Sequence, residues 1–382
     1  MSLTDFYIRN YRSVRDVWLK LERINVIVGA NGTGKSNLYR AIYLLASAAN
    51  GRLARNIAEE GGMPSVMRSG DYGADKYQMG LSIKFDDLQY DLVCGTIPPI
   101  YRASEHELFQ KDLEVKSESV HHFKGGVKSQ TMKRVRSEIK VRDSKGIMSD
   151  YTMRVPSNDS VLSSIREPHK YPLLSTIRQE LLNWRFYHHF RTDAQSPLRK
   201  AQFEVMTPAM AHDASDFVSA VGTIIHSGNQ HSFFDSLEDA FPGANIVVQS
   251  TVSGLKLFMS MPNIERLFEA RELSDGTLQY LCLLTALHSL NPPSLLVINE
   301  PETSIHPDLF EPLARLIVKA SNESQIWITT HSRDLSDYIL EMSGYAPLEI
   351  EKVDGETRLV GVGLGGYKYR DESPDFEVSE DD

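Results

Sequence analysis

Residues 29–36 read Gly-Ala-Asn-Gly-Thr-Gly-Lys-Ser and match the pattern GxxxxGK(S/T). An apolar run at residues 24–28 precedes this stretch, and apolar residues at helical spacing follow it. Glycines let such a loop curl until its N–H groups point at phosphate oxygens, and the N-terminus of the next helix favours negative charge. The stretch therefore predicts a strand, a phosphate-binding loop and a helix.

The loop residues have distinct predicted roles. The amine of Lys35 reaches the β and γ phosphates of a nucleotide, and the hydroxyl of Ser36 ligates magnesium. The P-loop alone leaves kinases, GTPases and ATPases open, and the guanine-specifying pattern (N/T)KxD is absent from the sequence. The nucleotide-binding residues predicted in this loop are Asn31, Gly32, Thr33, Gly34, Lys35 and Ser36.

Polar side chains also follow two apolar strands of the last third. Glu300 ends the stretch SLLVINE, and His331 ends WITTH. Ligands of open α/β sheets lie at the C-terminal ends of strands. A glutamate there can deprotonate the water that attacks the γ-phosphate, and a histidine can contact that phosphate or water. We therefore predict Glu300 and His331 as catalytic residues.

A second anion-binding surface is predicted at LSDGT, residues 273–277, which precedes an apolar helix. Ser274 and Gly276 are small residues at a helix N-terminus, where N–H groups are free to bind anions. An ordinary helix N-cap would use the same residue types.

Together, GANGTGKS, LSDGT, LLVINEPETSIHP and TTHS resemble the ATP-binding-cassette (ABC) type heads of the RecF, SMC and OLD-like ATPases, and most closely the compact RecF-like ATPases of bacteria. The resemblance covers residues 1–50 and 270–362. It implies a homodimer around two ATP molecules, in which Ser274 and Gly276 of one protomer face the P-loop of the other, with residues 304–307 as the D-loop. The opening FYIRNYRSVRD is similar to the family's N-terminal strand and arginine loop, which implies that Arg12 lies near nucleotide.

At two positions the sequence matches the pattern of this family less well. The aspartate that usually precedes the catalytic glutamate is Asn299 here, so a magnesium contact keeps its oxygen but loses a charge. A weaker hold on magnesium predicts slow turnover or tight retention of ATP. The Q-loop glutamine, a further magnesium contact of the family, is best matched by Gln195.

The expected fold is α/β: an ABC-type P-loop ATPase head with a mixed or parallel sheet core, an antiparallel β lobe and an inserted helical lobe. The core is predicted at residues 1–60 and 270–365, the β-rich part at 61–170, the helical lobe at 171–269 and an acidic, disordered tail at 366–382. With 382 residues, of which 41% are hydrophobic, the chain can bury more than one core.

Several classes of protein are disfavoured by composition. The sequence has two cysteines and no Cys/His cluster, which disfavours a disulfide framework or a structural zinc. It has no run of about 18 apolar residues and no signal peptide, so we expect a cytoplasmic protein without a membrane partner. The short stretch after His331 lacks the carboxylate set of a TOPRIM nuclease, so no nuclease domain is expected.

Charge is distributed unevenly along the chain. The net charge is −10, but residues 371–382 alone carry seven acidic and no basic residues. Residues 111–154 carry eleven Lys or Arg against six Asp or Glu. Such a local excess can bind a phosphate backbone, which makes double-stranded DNA a candidate partner. A solvated hairpin of mixed charge is the alternative.

Three functions remain open from the sequence. The first is a DNA-associated ATPase head that acts in DNA repair or in defence against phages and mobile elements, with a separate nuclease or toxin as effector. The second is a nucleotide-sensing switch or scaffold that hydrolyses ATP slowly and restrains such an effector. The third, a transporter nucleotide-binding subunit, is disfavoured by the large insert after the P-loop and by the EPETSIHP motif.

Overall fold

The computed structural model describes residues 1–68, 78–96, 109 and 111–361 of the chain. The predicted acidic tail at 366–382 lies outside these residues. The chain forms two compact units. Unit 1 comprises Met1–Glu22, Gly29–Trp184 and the segment from Glu349 onward, and unit 2 comprises Arg23–Val28 and Arg185–Leu348.

The strands and helices are named here in chain order. The strands are β1 (Leu3–Tyr11), β2 (Val14–Lys20), β3 (Ile24–Val28), β4 (Gln78–Phe85), β5 (Leu88–Thr96), β6 (Leu113–Lys124), β7 (Val127–Val135), β8 (Glu138–Arg142), β9 (Met148–Asp150), β10 (Arg185–Tyr187), β11 (Asn245–Thr251), β12 (Gly254–Ser260), β13 (Phe268–Glu269), β14 (Leu295–Asn299), β15 (Gln325–Thr330), β16 (Leu348–Val353) and β17 (Glu356–Leu359). The helices are α1 (Lys35–Ser47), α2 (Leu53–Glu59), α3 (Met63–Val66), α4 (Val161–Ser164), α5 (Pro172–Asn183), α6 (Phe217–Ser227), α7 (Gln230–Ala240), α8 (Asp275–Leu287), α9 (Phe310–Ala320) and α10 (Arg333–Ser343).

Unit 1 is built on an antiparallel sheet with the strand order β2-β1-β4-β5-β6-β7-β8-β9. Helix α1 packs against β1 and β4 and buries Leu38 and Ile42 completely. These two residues are four apart, so they lie on one face of the helix. The β16–β17 hairpin also belongs to unit 1, and it turns at Asp354 and Gly355, both with positive φ.

Unit 2 contains parallel strands in the order β10-β14-β15-β3. Every residue of β3, β14 and β15 is buried, which is why these strands read as continuous apolar runs and not as alternating ones. Helices α8 and α9 pack on this core through residues such as Leu281 and Leu313. A small antiparallel sheet, β11-β12-β13, completes the unit.

The predicted mixed α/β class with antiparallel and parallel strands is confirmed. Strand β3 has the predicted bounds of residues 24–28, and α9 begins at Phe310 after a 3-10 turn at Pro307–Leu309. Residues 171–269 hold helices but also β10 to β13, so this segment is mixed. The strands of this segment are short and half-exposed, so apolar and polar residues alternate only weakly along them. Over so few residues, this pattern resembles helical spacing.

The two compact units are also divided differently from the predicted segments. Unit 1 joins the P-loop to the β-rich region, and unit 2 joins the signature motif LSDGT to the strands that precede Glu300 and His331. In the part of the chain that the structure describes, no helix is both long and apolar enough to cross a membrane.

Candidate nucleotide-binding and catalytic residues

The P-loop begins directly after β3 and ends at the N-terminus of α1. Gly34 is the N-cap of α1 and has φ of +113°, a backbone conformation that side chains rarely adopt. The Thr33 hydroxyl donates to the Ala30 carbonyl at 2.8 Å and closes the loop. The buried Lys35 amine donates to the carbonyls of Gly29 at 2.6 Å and Ala30 at 3.1 Å, so its charge is held inside the curl of the loop.

Strand β17 and the β1–β2 turn support the P-loop from within unit 1. The Thr357 hydroxyl donates to the Thr33 carbonyl at 2.8 Å and lies 2.7 Å from the Ser13 hydroxyl. Asn37 of α1 donates to the same Ser13 hydroxyl at 2.7 Å. A Cβ atom on Gly34 would lie only 2.0 Å from the Thr357 hydroxyl oxygen. A side chain is therefore excluded at Gly34 by both its backbone angle and its neighbour.

The residues of this loop fit a nucleotide polyphosphate. The N-terminus of α1 carries the positive end of the helix dipole, which favours an anion. Asn31, Gly32 and Ser36 are exposed, and Lys35 adds a positive charge. No group of three or more His, Cys, Asp or Glu side chains that could hold a metal ion occurs among the described residues. Magnesium bound by Ser36 would thus take nucleotide oxygens as further ligands, as this ion commonly does.

Arg12 lies in the turn between β1 and β2 with φ of +48°. Its guanidinium forms an ion pair with Glu60 at 2.6 Å, and its backbone N–H donates to the Val66 carbonyl at 2.8 Å. Partial burial lowers the pKa of Arg12, but Tyr11 and Glu60 outweigh this effect, so the pKa lies above its ordinary value. The structure thus places the predicted nucleotide-contacting arginine against Glu60, within unit 1.

In unit 2, Asn299 and Glu300 stand at the C-terminal end of β14. Asn299 is buried, and its side-chain oxygen accepts a hydrogen bond from the Thr329 hydroxyl of β15 at 2.7 Å. Glu300 has φ of +48°, its N–H donates to the Thr329 carbonyl at 2.7 Å, and its side chain is 32% exposed. The left-handed backbone at Glu300 turns the chain out of the sheet and leaves the carboxylate accessible.

His331 follows β15, the parallel neighbour of β14. Its Nδ1 atom lies 3.9 Å from a Glu300 carboxylate oxygen, so unit 2 brings the two predicted catalytic residues together. The same Nδ1 atom lies 3.0 Å from Oε1 of Glu302. Glu302 was not predicted from the sequence. The pattern that could have indicated it is a second glutamate two residues after Glu300, in the segment that follows a buried strand.

The signature residues Ser274 and Gly276 lie at the N-terminus of α8. The Ser274 side chain caps this helix by accepting from the Thr277 N–H at 3.1 Å. A Cβ atom on Gly276 would meet the Ser304 carbonyl oxygen at 2.5 Å, so the glycine permits close approach of the predicted D-loop. Both segments belong to unit 2, and the structure brings them into contact.

Two residues of the loop that follows β10 differ in surroundings. Gln195 is exposed, and its N–H donates to Asp193 at 2.8 Å. Arg199 is largely buried and donates to the carbonyls of Arg271 at 3.0 Å and Leu273 at 2.8 Å, and to Asp275 at 2.7 Å. Arg199, which the sequence did not single out, therefore holds the signature segment in place.

Comparison with known proteins agrees with this arrangement of motifs. A family model described as "AAA domain, putative AbiEii toxin, Type IV TA system" matches residues 24–89 and 153–337. The DNA replication and repair proteins RecF of Bacillus cytotoxicus and Bacillus mycoides are each 40% identical over 57 residues. This match spans 15% of the chain and 15% of the length of each relative.

Solved Smc heads share the fold. The Smc head bound to the C-winged helix domain of ScpA has a TM-score of 0.51 and 13% identity, and the match covers 95% of this chain and 99% of that one. The Smc head with an extended coiled coil, bound to the C-terminal domain of ScpA derived from Pyrococcus furiosus, has a TM-score of 0.52 and 12% identity over 94% and 96% of the chains. The predicted RecF/SMC-like ATPase head is confirmed, and the chain belongs to the AAA-domain family whose model spans most of its length.

Proposed function

We propose that the chain binds ATP with Mg²⁺, hydrolyses ATP slowly and joins a second copy of itself through the bound nucleotide. The observation that carries the proposal is the pair formed by Glu300 and His331, 3.9 Å apart at the ends of neighbouring parallel strands, in a chain that also holds a complete P-loop. Glu300 is accessible to water, as a general base must be.

Each group of residues has a separate proposed role in binding or hydrolysis. The P-loop amides, Lys35 and the N-terminus of α1 would bind and orient phosphates, Ser36 would ligate the metal, and Asn299 would offer it a further oxygen contact. When bound, ATP with Mg²⁺ supplies the anhydride bond and the positive charge that offsets its phosphates. Glu300 takes a proton from the attacking water, and His331 orients that water or a phosphate oxygen.

We also propose that two copies of the chain assemble around bound nucleotide. Ser274 and Gly276 would bind the phosphates of the nucleotide held by the partner copy, because small residues at a helix N-terminus form an anion site. The close approach of Ser304 to Gly276 supports this, since one rigid surface could then close on the other copy. We further propose double-stranded DNA and a separate nuclease or toxin as partners, in DNA repair or in phage defence. The description of the family as part of a toxin–antitoxin system favours defence.

The test is a comparison of two variants. In Glu300→Gln we expect ATP binding to persist, hydrolysis to fall by about 100-fold or more, and ATP to convert monomers into dimers in analytical ultracentrifugation. In Lys35→Ala we expect loss of ATP binding and of the dimer. The control is Glu323→Gln, an exposed glutamate of unit 2, which should behave like the wild type. Undiminished hydrolysis in Glu300→Gln would refute the role of Glu300.

A nucleotide-sensing switch is the second candidate, and Asn299 favours it. Its neutral amide is held by Thr329, so it offers magnesium less charge than an aspartate would. In Asn299→Asp the contact with Thr329 can persist while a negative charge is added. We expect the Mg²⁺ concentration for half-maximal hydrolysis to fall about ten-fold and turnover to rise. Asn322→Asp, at an exposed site in unit 2, controls for charge alone; an equal effect there would contradict this reasoning.

A further inference from the structure

Glu302 is a carboxylate that is buried beside the candidate catalytic residues. Its side chain is only 3% exposed. One oxygen, Oε1, accepts hydrogen bonds from the Thr330 hydroxyl at 2.6 Å, the His331 N–H at 2.9 Å and the Ser332 N–H at 3.3 Å. Glu302 thus holds the segment that links β15 to α10.

The other oxygen of Glu302, Oε2, is buried without a hydrogen-bond partner. A buried carboxylate oxygen without a partner destabilises a fold, because it has lost water and gained nothing in return. A neutral side chain could accept the same bonds at Oε1 with a smaller penalty. Anchoring the backbone of the segment therefore does not by itself explain a carboxyl group at this position.

The His331 ring indicates that use. Its Nδ1 atom lies 3.0 Å from Oε1 of Glu302, within hydrogen-bonding distance, and 3.9 Å from Glu300. Oε1 already accepts from the Thr330 hydroxyl and from two backbone N–H groups, so it acts as an acceptor, and Nδ1 must carry the proton if the two atoms bond. In neutral histidine the other ring nitrogen, Nε2, is then an acceptor. The His331 side chain is 45% exposed, so this ring can reach a ligand.

We propose that Glu302 is a positioning residue, which holds His331 in one ring orientation and in the Nδ1–H tautomer, so that Nε2 is presented to the reaction. This inference deepens the proposed function, because it assumes that His331 acts in ATP hydrolysis. A carboxylate that orients a histidine through its second nitrogen is a general device for setting tautomer and direction.

The first readout uses the protein without nucleotide. In ¹⁵N-histidine-labelled protein at about pH 8, where a histidine with an ordinary pKa is neutral, long-range ¹H–¹⁵N spectra report the tautomer of each ring. The His331 signal is assigned by its loss in His331→Gln. We expect the Nδ1–H form to predominate in the wild type. A predominant Nε2–H form would overturn the proposal whether or not the protein binds ATP.

Variants separate positioning from anchoring. Glu302→Ala should shift His331 toward the Nε2–H form, and Glu302→Gln, which keeps an oxygen acceptor and the shape of the side chain, should shift it less. Thr330→Val removes one bond to Glu302 but leaves the carboxylate in place. It should lower stability while the tautomer stays as in the wild type. An equal tautomer shift in Thr330→Val would overturn the proposal in favour of a purely structural role.

Hydrolysis provides the second readout. We expect Glu302→Gln to lower kcat about ten-fold with little change in the dissociation constant for ATP. A change confined to ATP affinity would contradict positioning of a catalytic histidine. Absence of ATP binding in the wild type would instead refute the proposed function, while the tautomer measurement would still decide the relation between Glu302 and His331.

Discussion

At the scale of single residues, the backbone conformation and the neighbouring atoms can exclude any side chain at a position. Gly34 combines a φ of +113° with the Thr357 hydroxyl oxygen 2.0 Å from where a Cβ atom would stand. Gly32, in the same loop, also has a positive φ, of +83°, but a Cβ atom there would meet nothing within 4 Å. The two glycines therefore separate the cost of backbone strain from the cost of a clash.

We expect Gly34→Ala to abolish ATP binding, because the added methyl group must displace Thr357 and with it the bond to Thr33. Gly32→Ala should cost about 1–2 kcal/mol of backbone strain and retain measurable ATP binding. Isothermal titration calorimetry with ATP and Mg²⁺ checks both. Partial rescue is expected in Gly34→Ala with Thr357→Ala, since the clashing oxygen is then gone. Equal losses in Gly34→Ala and Gly32→Ala would contradict the role of the clash.

At the scale of elements, helices α7, α8 and α9 meet at His288, which follows the last residue of α8. Its Nε2 atom lies 3.0 Å from the Ser236 hydroxyl of α7, and its ring packs edge-on against Phe233. Lys319 of α9 also donates to Ser236, at 3.3 Å. Burial, followed by the charge of Lys319, lowers the pKa of His288 to about 4 from its ordinary value of 6.5.

This lowered pKa makes stability depend on pH. Between pH 6.5 and about 4, the unfolded chain binds a proton at His288 that the folded chain does not, so the free energy of unfolding falls as pH falls through this window. The loss is on the order of 3 kcal/mol. In His288→Gln we expect a shallower decline of stability between these pH values, measured by urea denaturation. His306→Gln, at an exposed histidine, should keep the wild-type slope; the same slope in both variants would contradict this assignment.

At the scale of the whole molecule, net charge says little about what the chain binds. Seven of the negative charges lie in the final twelve residues, so residues 1–370 carry a net charge of only −3. Within the basic stretch at 111–154, Lys116 and Arg134 are buried and bound to protein acceptors, so neither can reach a phosphate backbone. The exposed basic residues of this stretch are Lys111, Lys124, Lys128, Lys140, Lys145 and Arg154.

Two of these exposed lysines, Lys124 and Lys128, flank the β6–β7 turn. If double-stranded DNA is a partner, Lys124→Glu with Lys128→Glu should weaken DNA binding equally for different sequences. It should also reduce the slope of log affinity against log salt by about 2. Fluorescence anisotropy at several salt concentrations measures both. Lys20→Glu with Arg55→Glu changes two exposed charges elsewhere in unit 1 and should have little effect. Equal losses in both pairs would point to net charge and not to a local site.

The buried strands of this protein can be predicted from its sequence better than the contacts of its candidate site. Buried parallel strands such as β3 and β15 were predictable to the residue, because burial on both faces leaves a continuous apolar run between turn residues. Strand β10 could not be predicted, because its three residues, Arg185–Tyr187, are too few to show a period. Arg12 contacts Glu60, which lies 48 positions away, and Arg199 contacts Leu273 of the signature segment, 74 positions away. No local sequence pattern predicts contacts over such separations.

The motifs, their order and the strand ends at which they stand can be read from the amino-acid sequence alone, because these depend on local spacing and on the period of apolar residues. The set of motifs also resembles the ATPase heads of the RecF/SMC type, and comparison with known proteins confirms this assignment. Which side chains meet depends on the tertiary structure. It placed the buried Glu302 against His331, set Thr357 against Gly34, and removed Lys116 and Arg134 from the surface. Such pairings depend on how distant elements pack, and a packed interior decides which charges stay in water and which must find a partner.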